Sequence, residues 1–341
     1  MKQPGWLRPL CLAILLTLVT APTAPLAAKT RIRMGTIAPK DSIWHNALKQ
    51  IDADWTKISG GEIDITIYPA GQLGDEPEMV RKVRQGTLQA VALSQVGLSH
   101  IDAGVSALHV PMLLESNEEL DYVRDKLAPK LEKRLEAQGF VVLSWGDGGW
   151  VRFFSKNPAR TPAEIRKMKL FTAAGDPEGE RLWKEFGFNV VPLSITDLLL
   201  SLQRGMIDAF HVPPILALLN QSYTIANNMV DCKFSPVVAG TVISKGAWDK
   251  LPAAIRPQLI ESVRKAGEQL KKEVRKFEQD AIEQMQKRGL NVIELTPDEL
   301  NQWRTEAEKV YPALRGRYAP AELVDEAIRL RDEYRATHAG R

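Results

Sequence analysis

Apolar residues along this chain recur with two alternating periods, that of a strand and that of a helix. Ile63, Ile65 and Ile67 alternate with polar residues, a pattern typical of a strand with one buried face. The segment before them has apolar residues three and four positions apart, as in an amphipathic helix: Trp44, Leu48, Ile51, Trp55 and Ile58. Continued to residue 94, this alternation predicts an α/β fold with a mostly parallel sheet flanked by helices.

A second strand and helix series follows the glycine-rich segment 146–149, which suits a crossing between two lobes because glycine adopts backbone conformations closed to other residues. Residues 29–341 are long for one hydrophobic core and sufficient for two. We predict a first lobe of residues 29–149 plus about 235–272, and a second lobe of residues 150–234 plus about 273–341. The apolar segment 237–244 is interpreted as the strand that returns to the first lobe.

A long helix is predicted over residues 253–288, where apolar residues keep helical spacing from Leu259 to Met285 and Gly289 ends the pattern. At 1.5 Å per residue, the part from Pro257 to Arg288 is roughly 48 Å long. Because this exceeds the width of one lobe, we expect the helix to span both. An intermolecular coiled coil is the alternative, although Gly267 inside the pattern weakens such a zipper.

The first 28 residues have the layout of a secretory signal peptide. Lys2 and Arg8 provide a positive start, an apolar segment covers Leu10–Val19, and small residues fill Ala21–Ala28. The apolar segment is too short to span a bilayer. We predict cleavage after Ala28 and a periplasmic mature protein, with an uncleaved membrane anchor as the alternative.

The composition of the mature chain argues against several classes of protein. Loss of Lys2 and Arg8 lowers the formal net charge from +3 to +1, which does not favour nucleic acid as a partner. Cys232 is the only cysteine left, so no intramolecular disulfide can form, and we interpret it as a packed thiol.

Sequence signatures of common enzymes are absent, including G-x-S-x-G, H-E-x-x-H, the P-loop and paired cysteines. We therefore predict that the protein is not an enzyme and has no catalytic residues, no cofactor and no metal site. No two histidines pair at the helical spacing of metal ligands. His211 is kept as a binding candidate because it ends a predicted strand beside Pro213.

The segment Lys169–Asp176, with the sequence KLFTAAGD, is the strongest candidate for a ligand-binding corner. A short buried strand is predicted to run into a turn of small residues, and a helix begins at Pro177. Corners of this kind, at the carboxyl ends of strands, are where α/β proteins bind their ligands.

Six segments, in order, resemble the solute-binding proteins of TRAP transporters, the DctP family. They are 38–48 (APKDSIWHNAL), 68–90 (YPAGQLGDEPEMVRKVRQGTLQA), 110–116 (VPMLLES), 160–170 (RTPAEIRKMKL), 190–209 (VVPLSITDLLLSLQRGMIDA) and 247–252 (AWDKLP). The resemblance implies a two-lobed periplasmic binding protein that holds a small solute in the cleft between its lobes. It also implies TRAP integral-membrane subunits as partners.

The chain departs from the family pattern at the positions that bind a substrate carboxylate. Arginines of the family align with Trp150 and Phe171, and an asparagine aligns with Val212. No aromatic side chain replaces the bidentate donor pair of arginine. The motifs are similar to a subgroup with apolar clefts, some of which work with a periplasmic tetratricopeptide-repeat protein. The resemblance therefore implies an organic acid or amphiphile with a substantial apolar part as the ligand.

Two groups of residues are predicted to bind this ligand. The first lobe contributes Trp44, Gln72 and Gln95, and the second lobe contributes Trp150, Phe171, Asp176, Phe210 and His211. The aromatic residues would pack on apolar ligand surface, and the polar ones would orient its polar groups. Two alternatives stay open: Phe171 is part of the core, and Arg152 supplies the missing guanidinium from two residues beyond Trp150. The alternative function is a periplasmic sensing or interaction module that presents its ligand state to a partner.

Overall fold

The computed structural model describes residues 29–338, so the predicted signal peptide lies outside the described residues. The strands are β1 (Thr30–Thr36), β2 (Ile63–Tyr68), β3 (Ala90–Ser94), β4 (Phe140–Trp150), β5 (Arg152–Ser155), β6 (Lys169–Ala173), β7 (Asn189–Leu193), β8 (Ala209–Val212), β9 (Asn228–Val230), β10 (Pro236–Ser244) and β11 (Asn291–Ile293). The helices are α1 (Ile43–Ile58), α2 (Glu76–Arg84), α3 (Gln95–Ser99), α4 (Asn117–Ala137), α5 (Pro162–Ile165), α6 (Pro177–Glu185), α7 (Leu198–Gln203), α8 (Pro214–Leu219), α9 (Lys245–Trp248), α10 (Arg256–Gln286), α11 (Pro297–Glu308), α12 (Tyr311–Leu314) and α13 (Ala321–His338). Short 3₁₀ segments cover Ala103–His109, Ile195–Asp197 and Ser222–Thr224.

The strands form two sheets, one in each lobe, which confirms the predicted two-lobed α/β fold. The first sheet has the order β2-β1-β3-β10-β4, and the second has the order β11-β9-β5-β8-β6-β7. Strand β1 is parallel to β2 and β3, and β6 is parallel to β7 and β8. Each sheet is nevertheless mixed, because β10 and β5, which lie near the crossings between the lobes, run antiparallel to their neighbours.

Each lobe has its own hydrophobic core. In the first lobe Ile32, Met34 and Ile65 of the sheet pack against Trp55 of α1, the inward face that the sequence periodicity predicts. In the second lobe Phe154 and Phe210 are part of the buried cluster. Burial of these side chains stabilises each lobe separately.

The last helix, α13, lies on the first lobe. Its buried face, which includes Leu323 and Ala327, packs in one cluster with Leu120, Val123 and Leu127 of α4. Helix α13 differs from the prediction that residues from about 273 to 341 belong to the second lobe, because its apolar face is complementary to that of α4. Among the described residues, no helix has the length and apolar character needed to cross a membrane.

The long helix α10 contacts both lobes, although its ends lie a few residues inside the predicted range 253–288. Leu259 and Val263 pack in the core of the first lobe, whereas Ile282 and Met285 pack in the core of the second. A Cβ atom on Gly267 would lie 3.1 Å from the carbonyl oxygen of Trp145, so glycine here lets the helix approach β4 closely. The apolar face is thus covered by this chain itself, which argues against an intermolecular coiled coil.

A cluster of four charged residues, two of them buried, joins α4, β4 and α10 where the chain crosses between lobes. The carboxylate of Asp147 accepts hydrogen bonds from Arg124 Nη1 at 2.8 Å and from Arg275 Nε at 3.0 Å. Asp121 accepts from the same two arginines, at 2.7 Å from Arg124 Nη2 and 2.8 Å from Arg275 Nη1. Arg124 and Asp147 are each only 4% exposed, so this half of the cluster is shielded from water, whereas Asp121 and Arg275 are partly exposed. The shared hydrogen bonds fix the three elements relative to one another.

Candidate functional site

A cavity of about 350 Å³ lies between the two lobes and is lined by residues of both. This volume is within the range of sites that enclose a small molecule, ~300–1,000 Å³. Five of the predicted residues line it: Trp44, Gln95, Phe171, Asp176 and His211.

The first lobe presents Trp44 and Gln95 to the cavity. Trp44 lies in the first turn of α1, after the N-cap Ser42, and its indole donates a hydrogen bond to the Asp147 carbonyl oxygen at 3.2 Å. The amide nitrogen of Gln95 donates to the hydroxyl of Tyr318 at 3.1 Å. Trp44 therefore has a fixed orientation set by the same residue that anchors the charge cluster.

The predicted corner at residues 169–176 is a strand followed by a helix, as expected. Asp176 is the N-cap of α6, and its carboxylate accepts from the Gly179 N–H at 2.9 Å. The Tyr318 hydroxyl donates to the other carboxylate oxygen at 3.5 Å, so Gln95, Tyr318 and Asp176 form a polar chain across the cleft. Burial raises the pKa of Asp176, although the Gly179 hydrogen bond, His100 and Tyr318 oppose that effect.

The second lobe contributes an aromatic wall, which we define as Phe171, Trp183, Phe188, Phe234 and Trp303. The Trp183 ring centre lies 4.8 Å from that of Phe188 and 5.6 Å from that of Phe234. Sequence reasoning found only Phe171 of this wall. Trp183 lies on α6 directly after the predicted corner, and the aromatic-rich segment 183–188 was the signal that could have found it.

His211, which lines the cavity, has one ring nitrogen without a hydrogen-bond partner among the described residues. Its ring centre lies 5.1 Å from that of Trp183 and 6.1 Å from that of Phe171, and its buried Nε2 atom has no hydrogen-bond partner among the described residues. Burial and the nearby His109 lower the pKa of His211 to about 4, although a hydrogen bond with the Phe171 backbone opposes the shift. The imidazole is therefore neutral at physiological pH and can exchange one hydrogen bond with a ligand.

Positive charge is scarce on the cavity wall. Among the described residues that line it, Arg166 is the only lysine or arginine, and it is paired with Glu306. Glu76 is also on the wall, and its carboxylate accepts from the N–H of Ser94 at 2.5 Å and of Gly97 at 3.2 Å. Burial raises the pKa of Glu76. The wall is thus mostly apolar, with a few satisfied polar groups.

Four predicted residues do not line the cavity. Gln72 is exposed in the loop before α2. Phe210 points into the core of the second lobe, where its ring stacks on Phe154 at 4.8 Å. Neighbouring residues of a strand point to opposite faces, so Phe210 and His211 cannot both face the cavity.

Trp150 and Arg152 are the other two predicted residues that do not line the cavity, and the side chains of both make contacts that stabilise the fold. Trp150 is 2% exposed, lies in the core with α4, and donates from its indole to Asn117 at 2.8 Å. Arg152 bonds Asp231 at 3.1 Å and Glu278 at 3.3 Å, so it does not replace the missing clamp.

Contacts across the mouth of the cleft hold the lobes together. The Ser194 hydroxyl of the second lobe donates to Asp75 of the first at 2.8 Å, and His100 contacts the Gly175 carbonyl oxygen. A Cβ atom on Gly175 would lie 2.7 Å from Cγ of Pro77. The structure is therefore a closed form, in which the cavity is bounded on both sides.

Comparison with known sequences identifies the family. The profile of the bacterial extracellular solute-binding proteins, family 7 (DctP), matches residues 34–316, most of the chain. The chain belongs to this family.

Relatives of this DctP protein include two characterised binding proteins. The 2,3-diketo-L-gulonate-binding periplasmic protein YiaO of Escherichia coli K12 is 26% identical over 275 residues, which cover 80% of this chain and 83% of YiaO. The sialic acid-binding periplasmic protein SiaP of Vibrio cholerae is 22% identical over 307 residues, which cover 87% of this chain and 91% of SiaP. The DctP protein is thus a solute-binding protein of the TRAP type and not an enzyme, as predicted.

Solved structures share its fold. A TRAP periplasmic solute-binding protein from Ralstonia eutropha H16, with bound (S)-2-acetolactate, has a TM-score of 0.84 at 22% identity and covers 89% of this chain and 99% of its own. One from Xanthobacter autotrophicus Py2, with bound β-D-galacturonate, has a TM-score of 0.81 at 19% identity and covers 88% and 99%. The two-lobed architecture of the DctP protein is therefore that of its family.

The buried His211 of this DctP protein makes its stability depend on pH. The folded pKa is about 4 and the ordinary value is 6.5, so the unfolded chain takes up the proton first as pH falls. This contribution is complete above pH 6.5 and is lost as pH falls towards 4, by at most ~3 kcal/mol, and by less where water enters the cavity. We expect His211→Phe to remove that loss in urea denaturation at pH 7 and pH 4.

His338→Phe, near the end of α13, is the matched control and should keep the wild-type pH dependence. The difference between His211→Phe and the wild type isolates His211, because Glu76 and Asp176, whose raised pKa values contribute with the opposite sign, are present in every protein compared. Equal pH dependence of wild type and His211→Phe would contradict the prediction.

Proposed function

We propose that this protein is the extracytoplasmic component of a TRAP transporter that captures an organic acid or amphiphile with a substantial apolar part. The ligand occupies the interlobe cavity and is delivered to the integral-membrane subunits. A periplasmic tetratricopeptide-repeat partner stays a prediction from the resemblance. The relatives support an acid as ligand, since YiaO is named for 2,3-diketo-L-gulonate and SiaP for sialic acid.

The aromatic wall is the observation that carries the apolar part of the proposal. The resemblance aligns Phe171 with a carboxylate-binding arginine of the family, and Trp183, Phe234 and Trp303 also line the cavity. Apolar ligand surface buried there gains ~25 cal/mol per Å². A small dicarboxylate would instead lose its hydration without gaining a cationic partner for each carboxylate.

Closure explains how binding is linked to delivery. The first lobe supplies Trp44 and Gln95, and the second supplies the aromatic wall and His211, so a ligand gains both sets of contacts only when the lobes close. A ligand therefore shifts the population to the closed form, which presents a different surface to a membrane partner than the open form does.

Native mass spectrometry of protein purified from its source, with identification of any retained small molecule, tests the ligand class directly.

In calorimetry we expect octanoate to bind at least tenfold more tightly than succinate. Trp183→Ala should weaken octanoate binding about tenfold, because the ligand loses contact with a large ring. Trp248→Ala is the matched control, since Trp248 packs on Trp55 in the first lobe away from the cavity. Tight succinate binding that Phe171→Ala abolishes would contradict the proposal.

A further inference from the structure

The far end of the cavity is formed by an ion pair between Arg166 and Glu306. These two residues, with Pro162, also line a separate pocket of about 210 Å³, whose other walls are Thr161, Ala163, Asn301, Gln302 and Thr305. The ion pair therefore separates the interlobe cavity from this second pocket. Glu306 is contributed by α11, whereas Arg166 follows α5.

The guanidinium of Arg166 is held in a fixed position. Its Nε donates to the Phe186 carbonyl oxygen at 3.0 Å, and its Cζ lies 4.9 Å from the centre of the Phe188 ring. Nη2 donates to the Glu306 carboxylate. A planar donor group anchored on one edge and stacked on a ring is preorganised to bind a carboxylate on its other edge.

Glu306 has a second cationic partner. Lys309 Nζ lies 2.5 Å from Oε1 of Glu306, while Arg166 bonds Oε2. Hydrogen bonds from Lys309 and Arg166 lower the pKa of Glu306, so it is ionised. If another carboxylate takes its place on Arg166, Glu306 keeps Lys309 as a partner, and the exchange leaves neither acid without a cation.

Aromatic rings connect this cation to His211. Ring centres are 5.1 Å apart between His211 and Trp183 and 4.8 Å apart between Trp183 and Phe188, and Phe188 is the ring under Arg166. An apolar surface thus runs from a neutral hydrogen-bonding group at one end to a cation at the other. Such a surface is complementary to an extended molecule with a carboxylate at one end.

We propose that Arg166 binds the carboxylate of the ligand in place of Glu306, and that the apolar body of the ligand lies along the aromatic wall towards His211. This inference rests on the proposed function, since it requires an acid with an apolar part. It places the anion on an arginine distinct from the two family positions at Trp150 and Phe171.

Calorimetry with octanoate and 1-octanol tests the proposal, because the two probes differ in the carboxylate alone. We expect Arg166→Gln to weaken octanoate binding at least tenfold and octanol binding less than twofold. Glu306→Gln should strengthen octanoate binding severalfold, because the competing carboxylate is gone. Arg256→Gln is the matched control: its side chain is 27% exposed, as is that of Arg166, and its Nε also donates to a backbone carbonyl, that of Leu251.

The outcomes separate this inference from the proposed function. An unchanged ratio of octanoate to octanol affinity in Arg166→Gln would show that the ion pair forms part of the cavity wall but does not bind the carboxylate. Equal weakening of octanoate binding by Arg166→Gln and Glu306→Gln would show that the pair acts as one structural unit. Both results would overturn the carboxylate site and leave the apolar ligand in place. Binding of neither probe to the wild type would overturn both proposals.

Discussion

Replacing Asp147 by alanine is expected to lower the free energy of unfolding by about 3–5 kcal/mol. The carboxylate accepts hydrogen bonds from Arg124 and Arg275, and its removal leaves the two guanidinium groups to share Asp121, whose side chain is 28% exposed. Arg124 is 4% exposed, so water cannot replace the missing acceptor without opening the structure. Urea denaturation followed by both tryptophan fluorescence and circular dichroism measures the change.

The matched control is Asp125→Ala. Asp125 also contacts Arg124, at 3.4 Å, but its side chain is 71% exposed, so we expect a change of less than ~0.5 kcal/mol. A loss below about 1 kcal/mol in Asp147→Ala would show that the cluster does not hold the lobes in place. The comparison is informative because both variants remove one carboxylate from the same arginine and differ mainly in burial.

The local pattern of apolar residues, with the signals that start and end helices, was sufficient to predict most of the fold. The helix α10 begins and ends within three residues of the range 253–288, because its apolar spacing is regular and Gly289 follows it. The corner at residues 169–176 is as expected, since Asp176 and Pro177 are strong helix-start signals. The position of α13 was missed because its apolar face specifies burial but not the partner.

The candidate site was predicted less completely than the fold. The resemblance directed attention to Trp150, yet Trp150 packs in the core with α4 and does not line the cavity. Arg152 was misplaced because its partners, Asp231 and Glu278, lie 79 and 126 residues away in sequence. Strand alternation places Phe210 and His211 on opposite faces of β8, and this signal is present in the sequence.

Substitutions at Gly175 are expected to weaken ligand binding without destabilising either lobe. A Cβ atom there would lie 2.7 Å from Cγ and 3.1 Å from Cδ of Pro77, both in a rigid ring at the start of α2. Neither atom can move aside, so the cleft must open to relieve the contact. We expect Gly175→Ala to weaken octanoate binding about tenfold and Gly175→Leu to weaken it at least 100-fold, about 2.7 kcal/mol or more. Calorimetry measures the affinity, and small-angle X-ray scattering should show a larger radius of gyration.

Gly246 provides the matched control, because a Cβ atom there meets no atom within 4 Å and its backbone suits any residue. Gly246→Ala and Gly246→Leu should leave the affinity unchanged. The midpoint of urea denaturation in Gly175→Leu should stay close to that of the wild type, since the added side chain faces the other lobe across the cleft. Unchanged affinity in Gly175→Leu would mean that the ligand binds without full closure, and the contacts of Trp44 and Gln95 would then contribute nothing to binding. A graded loss from glycine to alanine to leucine, with stability preserved, follows only if closure of the two lobes is itself part of the binding equilibrium.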